Sequence, residues 1–348
     1  MPRALAVGLS GPELTIAEAE FLQRVRPCGI IIFSRNIVDR QQLRRLIDDA
    51  RTAIDFAPVL VLVDQEGGRV QRLRPPVFET LPAAAAYGAL YQRNPPEALA
   101  AAKTLASYTA LLLAEFGINT NCVPCADIPV PGAHAIIGER AYGDEVGQVV
   151  ALARAVAEGH LSRGVLPVLK HVPGHGRANA DSHLALPVVT AGLDDLIATD
   201  FAAFRLLRDL PAAMTAHVVF DSIDPSHPAS TSRLVIDRMI RGEIGFDGLL
   251  MSDDLSMKAL EGSIAERSAA VIAAGCDIAL HCNGELDEME AAASAVHDLT
   301  GRALDRFHGA AGRTGQHEAG DVTELTATAR TWLAKLLDEE VSVSGGLG

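Results

Sequence analysis

Short apolar runs recur along the chain, each followed by a longer stretch in which apolar residues return at helical spacing. The runs fall at 4–8, 29–33, 59–63, 120–123, 165–170, 213–217, 248–251 and 277–281. Helical spacing is clearest at 40–54, 96–116, 147–163 and 194–207. A strand that is apolar on both faces must be covered on both, which calls for parallel pairing with helical, right-handed crossovers. Eight such units over about 280 residues predict a single (β/α)₈ barrel. The competing arrangement is a doubly wound open sheet, but no glycine fingerprint follows the first strand.

No linker rich in Pro, Gly or Ser divides the chain, so residues 1–340 read as one catalytic domain closed by a helix at 322–337. Residues 341–348 read as a flexible tail. With 44 acidic and 30 basic side chains the formal charge is −14. A surface of that sign repels phosphate backbones, which argues against nucleic acid as a partner. No apolar segment is long enough to span a bilayer, and the N-terminus lacks a secretion-type apolar region, so a cytoplasmic protein without membrane association is expected. A monomer is the expectation for its assembly. The five cysteines form no disulfide framework. Cys122 and Cys125 have metal-ligand spacing but no matching second pair, so two semi-buried thiols near a strand end are the simpler reading. A reducing compartment suits them.

The unusual polar residues fall where strands end. The third strand runs into Asp64-Gln65-Glu66-Gly67-Gly68-Arg69-Val70-Gln71-Arg72, and the fifth into Lys170-His171-Val172-Pro173-Gly174-His175-Gly176, then Asp181-Ser182-His183. His217 ends the sixth, Ser252-Asp253-Asp254 the seventh and His281-Cys282-Asn283 the eighth. In a barrel those ends share one face, and that face carries the active site. Asp181 and His183 are two apart, so in an extended segment the carboxylate can hold and charge the imidazole, which suits a general acid/base; the alternative is a solvated loop pair. Of Asp253 and Asp254 only one can point into the mouth, as a nucleophile, while the other caps the following turn; alternatively both cap a helix start. A metal site built on His171, His175, His183, His217 and His281 is disfavoured. His171 and His175 would need a helix to ligate together, and Pro173 and Gly174 break one. No metal or organic cofactor is expected.

Taken together and in order, these blocks, with Gly138-Glu139-Arg140-Ala141-Tyr142-Gly143, resemble the family 3 glycoside hydrolases. More narrowly, they resemble the bacterial β-N-acetylglucosaminidases of cell-wall recycling. Val172 stands where phenylalanine is more usual, and Ala141-Tyr142 where Ser-Phe is; both are packing changes. The resemblance implies a TIM-type barrel and a retaining hydrolase of N-acetylglucosaminides, with anhydro-muropeptides as the carbohydrate substrate. It implies Asp253 as nucleophile, His183 as acid/base with Asp181 as its partner, and Asp64, Arg72, Arg140, Lys170 and His171 as sugar ligands. His175 and His217 lie outside that set. The other readings are a metal-dependent barrel hydrolase and a catalytically silent sugar-binding relative.

Overall fold

A computed structural model describes residues 1–178, 180, 186–316 and 320–345, with side chains through 338. Eight strands close a barrel: β1 (Arg3–Gly8), β2 (Pro27–Ile32), β3 (Leu60–Val63), β4 (Thr120–Asn121), β5 (Leu166–Val172), β6 (Ala212–Thr215), β7 (Leu249–Asp254) and β8 (Ile278–His281). Every neighbouring pair is parallel and follows chain order, and β8 closes on β1 through Leu5–Ala279 and Ala6–Leu280. The open-sheet alternative is thereby excluded.

The alternation within each strand sorts the core into two shells. Leu60 and Leu62 of β3, Leu166 and Val168 of β5, and Leu249 and Met251 of β7 fill the barrel interior. The residues between and beside them, such as Val61, Leu169 and Leu250, pack against the surrounding helices. Each inward row continues with the same period: Leu60–Leu62–Asp64, Leu166–Val168–Lys170, Leu249–Met251–Asp253. The third inward layer is therefore charged, and it forms the floor of the mouth at the C-terminal ends. At the opposite end the helix Gly301–Ala311 closes the barrel, with Phe307, Ala310 and Ala311 joining the interior cluster.

The outer helices follow their sequence signals. The helix Arg40–Ile54 starts where the Asp39 carboxylate accepts the Gln42 N–H (2.8 Å) and buries Leu43, Leu46, Ile47, Ala50 and Ile54 on one face. Two expectations need correction. The helix expected over 194–207 is two, Leu193–Ala198 and Asp200–Leu206, broken at Thr199. There Arg177, from the loop after β5, bonds the Asp200 carboxylate (2.6 Å) and the Thr199 hydroxyl (2.9 Å). The last helix runs Val322–Gly345, so residues 341–345 are helical where a tail was expected. The Asp338-Glu339-Glu340 run is compatible with continued helical hydrogen bonding.

The same anchoring fixes the root of the β5 loop. Gly174 and Gly176 sit in close contacts. A Cβ on Gly174 (φ +146°) would lie 3.0 Å from that of Asp200, and one on Gly176 would lie 1.9 Å from the Ile128 carbonyl oxygen. Gly176→Ala is therefore expected to lose about 1–3 kcal/mol of stability or more, since backbone has to move to admit the methyl. Urea denaturation checks this, and a wild-type midpoint would show that the loop root yields freely.

Candidate active site

The Asp64–Arg72 segment doubles back after β3 as a short antiparallel pair, Gln65–Gly67 with Val70–Gln71. Two buried glutamines hold it. The Gln65 side chain accepts the N–H groups of Arg72 (3.1 Å) and Leu73 (3.0 Å), and Gln71 donates to the carbonyls of Leu73 and Glu79. The turn thus brings Arg72 Nη2 to Asp64 Oδ2 at 3.0 Å. The Arg72 guanidinium also stacks over Phe33, 4.8 Å from the ring centre.

From Asp64 a chain of alternating charges crosses the mouth. Lys170 Nζ, 2 % exposed, lies 2.9 Å from Asp64 Oδ1 and 2.6 Å from Glu66 Oε1. Arg140 meets Glu66 with both arms, at 2.9 and 2.8 Å, and its Nη2 lies 3.3 Å from His171 Nε2. His171 Nδ1 is 2.6 Å from Asp127 Oδ2, and Asp127 Oδ1 accepts the His175 N–H at 2.6 Å. Burial opposes the charge on each carboxylate, and the cations outweigh it. Lys170 and Arg72 hold Asp64 well below the usual carboxylate range, and Arg140 and Lys170 bring Glu66 down to about 2. Burial would likewise strip Lys170 of its proton, but Asp64 and Glu66 keep the ammonium charged well beyond its ordinary range.

Asp253 and Asp254 part as strand alternation requires. Asp253 follows Met251 into the mouth and is 8 % exposed. Burial raises its pKa, while His217 and His171, the Asp254 N–H (2.8 Å) and Lys170 lower it further, leaving it below the ordinary value. Asp254 instead serves the turn: its carboxylate accepts the N–H groups of Ser256 and Cys282, each at 3.0 Å, and the Ser256 hydroxyl at 2.5 Å. His217 sits between Ser230 Oγ (2.6 Å) and the Asp254 carbonyl oxygen (3.0 Å), and burial lowers its pKa. A carbonyl only accepts, so the neutral ring carries its proton on Nε2.

These groups surround a cavity of about 360 Å³, within the range of small-ligand pockets. Asp64, Arg72, Arg140, Lys170, His171 and Asp253 all line it, so six of the eight expected site residues share one pocket. The other two, Asp181 and His183, lie outside the described residues. Phe33, Met214, Met257 and Leu280 supply apolar walls. Two residues that the sequence reading left without a role belong to the ion chain. Glu66 stands two positions after Asp64, the spacing that puts both on one side of an extended segment. Asp127 lies beyond β4 within an otherwise apolar run, Cys122-Val123-Pro124-Cys125-Ala126, with no neighbouring charge to flag it. The Cys122/Cys125 pair is split: Cys122 packs inside the barrel and Cys125 packs with Ile137 and Ala141. Among the described residues, Cys125, Asp127 and His171 are the grouping whose ligand atoms lie close enough, within 4.8 Å of one another, to hold a metal ion.

The family profile "Glycosyl hydrolase family 3 N terminal domain" matches residues 7–312. A β-hexosaminidase of Bordetella avium is 38% identical over 286 residues, 81% of each chain. One from Alkalilimnicola ehrlichii is 40% identical over 283 residues, 80% of each. Among solved structures, NagZ from Neisseria gonorrhoeae in complex with N-trifluoroacetyl-D-glucosamine superposes with a TM-score of 0.84 at 31% identity, covering 97% of this chain and 98% of that one.

The buried ion chain makes stability depend on acid. Folded Glu66 titrates near 2 against an ordinary 4.5, so its contribution is fully present above the unfolded value and disappears as pH falls through the folded one. That difference corresponds to about 3 kcal/mol. The free energy of unfolding is expected to fall between about pH 5 and pH 2, and the slope to be shallower in Glu66→Gln, which is also less stable at neutral pH because two buried cations lose a partner. Stability of the wild type that stayed flat across that window would contradict the assignment.

Proposed function

Since the chain belongs to glycosyl hydrolase family 3 and is a glycoside hydrolase of the β-N-acetylhexosaminidase type, we propose that it removes terminal, non-reducing N-acetylglucosamine from peptidoglycan fragments by a retaining, two-step route. Asp253 is the nucleophile. The observation that carries this reading is the division of labour at the end of β7. Both carboxylates border the cavity, but Asp253 is ionised and buried there, whereas both oxygens of Asp254 are spent on the turn. An ionised carboxylate among fixed cations can attack the anomeric carbon and form a glycosyl ester.

The sugar is held by the ion chain. Asp64 gives one oxygen to Lys170 and the other to Arg72, which leaves a further lone pair on each for two sugar hydroxyls. Lys170, Arg72 and Arg140 are donors whose positions are set before substrate arrives, so little reorganisation accompanies binding. His183, charged and held by Asp181, protonates the leaving oxygen; as a neutral imidazole it then takes a proton from the water that releases the sugar. This differs from the usual pair of carboxylates, one of which must be kept protonated near neutral pH. A histidine reaches that poise with little help, because its ordinary pKa already lies near 6.5. Asp253, Lys170 and His171 thus sit on barrel strands, Asp64 and Arg72 on the segment after β3 and Arg140 in a short turn, with the acid/base beyond Arg177 in the loop after β5.

We place the enzyme in cytoplasmic cell-wall recycling, acting as a monomer. All five cysteines are buried free thiols, which supports a reducing compartment. Among the described residues no helix is long and apolar enough to cross a membrane.

Asp253→Ala is expected to lower turnover by on the order of 10⁴-fold. A slow 2-deoxy-2-fluoro sugar followed by peptide mass mapping should label Asp253, and a label on Asp254 would overturn the nucleophile. Activity on an aryl N-acetylglucosaminide should greatly exceed that on the matching glucoside; equal rates would sink the proposed specificity. His183→Ala should slow substrates with poor leaving groups most and show a burst with good ones, since only the former require protonation in the first step. Equal slowing of all leaving groups would remove His183 from the acid/base role.

A further inference from the structure

Sugar binding accounts for the Asp64 end of the ion chain but not for Asp127, which is fully buried and lies behind His171, away from the cavity wall. Four donors converge on its carboxylate. They are His171 Nδ1 at 2.6 Å, the His175 backbone N–H at 2.6 Å, the Cys125 thiol at 3.2 Å and the His171 backbone N–H at 3.3 Å. Burial works against its charge, but the donors that converge on it hold Asp127 below the usual carboxylate range, so it stays ionised and can only accept. The proton in the His171–Asp127 bond therefore belongs to Nδ1. On the other side of the ring, Arg140 Nη2 stands 3.3 Å from Nε2, and a guanidinium only donates. Nε2 must then carry a lone pair. Two independent neighbours require the same tautomer.

We propose that Asp127 is a positioning residue that locks His171 as the Nδ1–H tautomer, so that Nε2 presents a hydrogen-bond acceptor at the sugar cavity. The proposal rests on the reading of His171 as a sugar ligand. It gives that ligand a definite chemistry: an acceptor shared between Arg140 and an incoming hydroxyl, rather than a second donor beside the three cations. The arrangement also disposes of the cation alternative for Cys125, Asp127 and His171. A metal on Nδ1 would move the ring proton to Nε2, directly against the Arg140 donor.

Asp127→Asn makes the proposal specific. The amide has one accepting end and one donating end. The backbone N–H of His175 cannot give up its proton, so the oxygen must face it and the NH₂ must face His171. The ring answers by moving its proton to Nε2, where it meets Arg140. The change is nearly isosteric, so its effect is on the proton, not on the packing.

The experiment uses the full-length enzyme with ¹⁵N-labelled histidine, and reads His171 by long-range proton–nitrogen correlation at neutral pH. In the wild type, Nδ1 should be the protonated nitrogen and Nε2 the bare one. In Asp127→Asn the pattern should reverse, with KM for an aryl N-acetylglucosaminide raised about 10- to 100-fold and kcat changed less. A wild-type ring protonated on Nε2, or on both nitrogens, overturns the proposal, and so does a variant that keeps both the wild-type pattern and the wild-type KM. If the variant does not fold, the wild-type spectrum alone decides. Cobalt(II) that binds with a thiolate absorption abolished in Cys125→Ser would also overturn it. His171→Ala with an unchanged KM would remove the sugar-ligand reading while leaving the tautomer assignment standing, so the two failures are distinguishable.

Discussion

The Lys170 ammonium, sealed at the centre of the mouth between Asp64 and Glu66, is the contact on which the site depends. Two carboxylates buried so close together repel, and neither would stay ionised alone. Lys170 makes both tenable, and each then organises an arginine, Arg72 at one end and Arg140 at the other. Buried ion pairs of this kind are poor sources of stability, because desolvation consumes much of the attraction. What they provide is a set of donors and acceptors held in place before any ligand arrives. A hydrophobic replacement would pack well and bind no sugar.

The barrel supplies the spacing that this arrangement needs. Inward positions recur every second residue, and three strands reach the mouth with Asp64, Lys170 and Asp253 at the third inward place. Below them the interior is apolar, so the charges have partners only sideways and upward. The apolar layers thus force the polar layer into mutual contact.

Much of this was legible in the chain. Eight apolar runs marked all eight barrel strands, and the period-3.6 stretch at 40–54 marked its helix to the residue. Alternation alone left Asp253 and Asp254 open for a physical reason: both faces of β7 are buried, so Leu250 and Met251 look alike in sequence and neither parity is visibly inward. Asp127 was hidden for a related reason, since one charge in an apolar run carries no period. The break at Thr199 depends on Arg177, a partner more than one turn away in sequence, and no local propensity encodes it.

The closure of the barrel floor by Phe307 and its neighbours governs how products leave. Among the described residues that end of the barrel is packed shut, so on the proposed reading the sugar occupies the inner end of the cavity and whatever it was attached to lies above it. On the retaining route proposed above, departure would then be ordered: the aglycone first, water next over the glycosyl ester, and the monosaccharide last. The enzyme awaiting its next substrate would then be the one that has just lost a sugar, and free N-acetylglucosamine would compete with substrate for that form. On that reading trimming would proceed one terminal unit at a time, because an internal residue of a chain would need a second opening through which to thread.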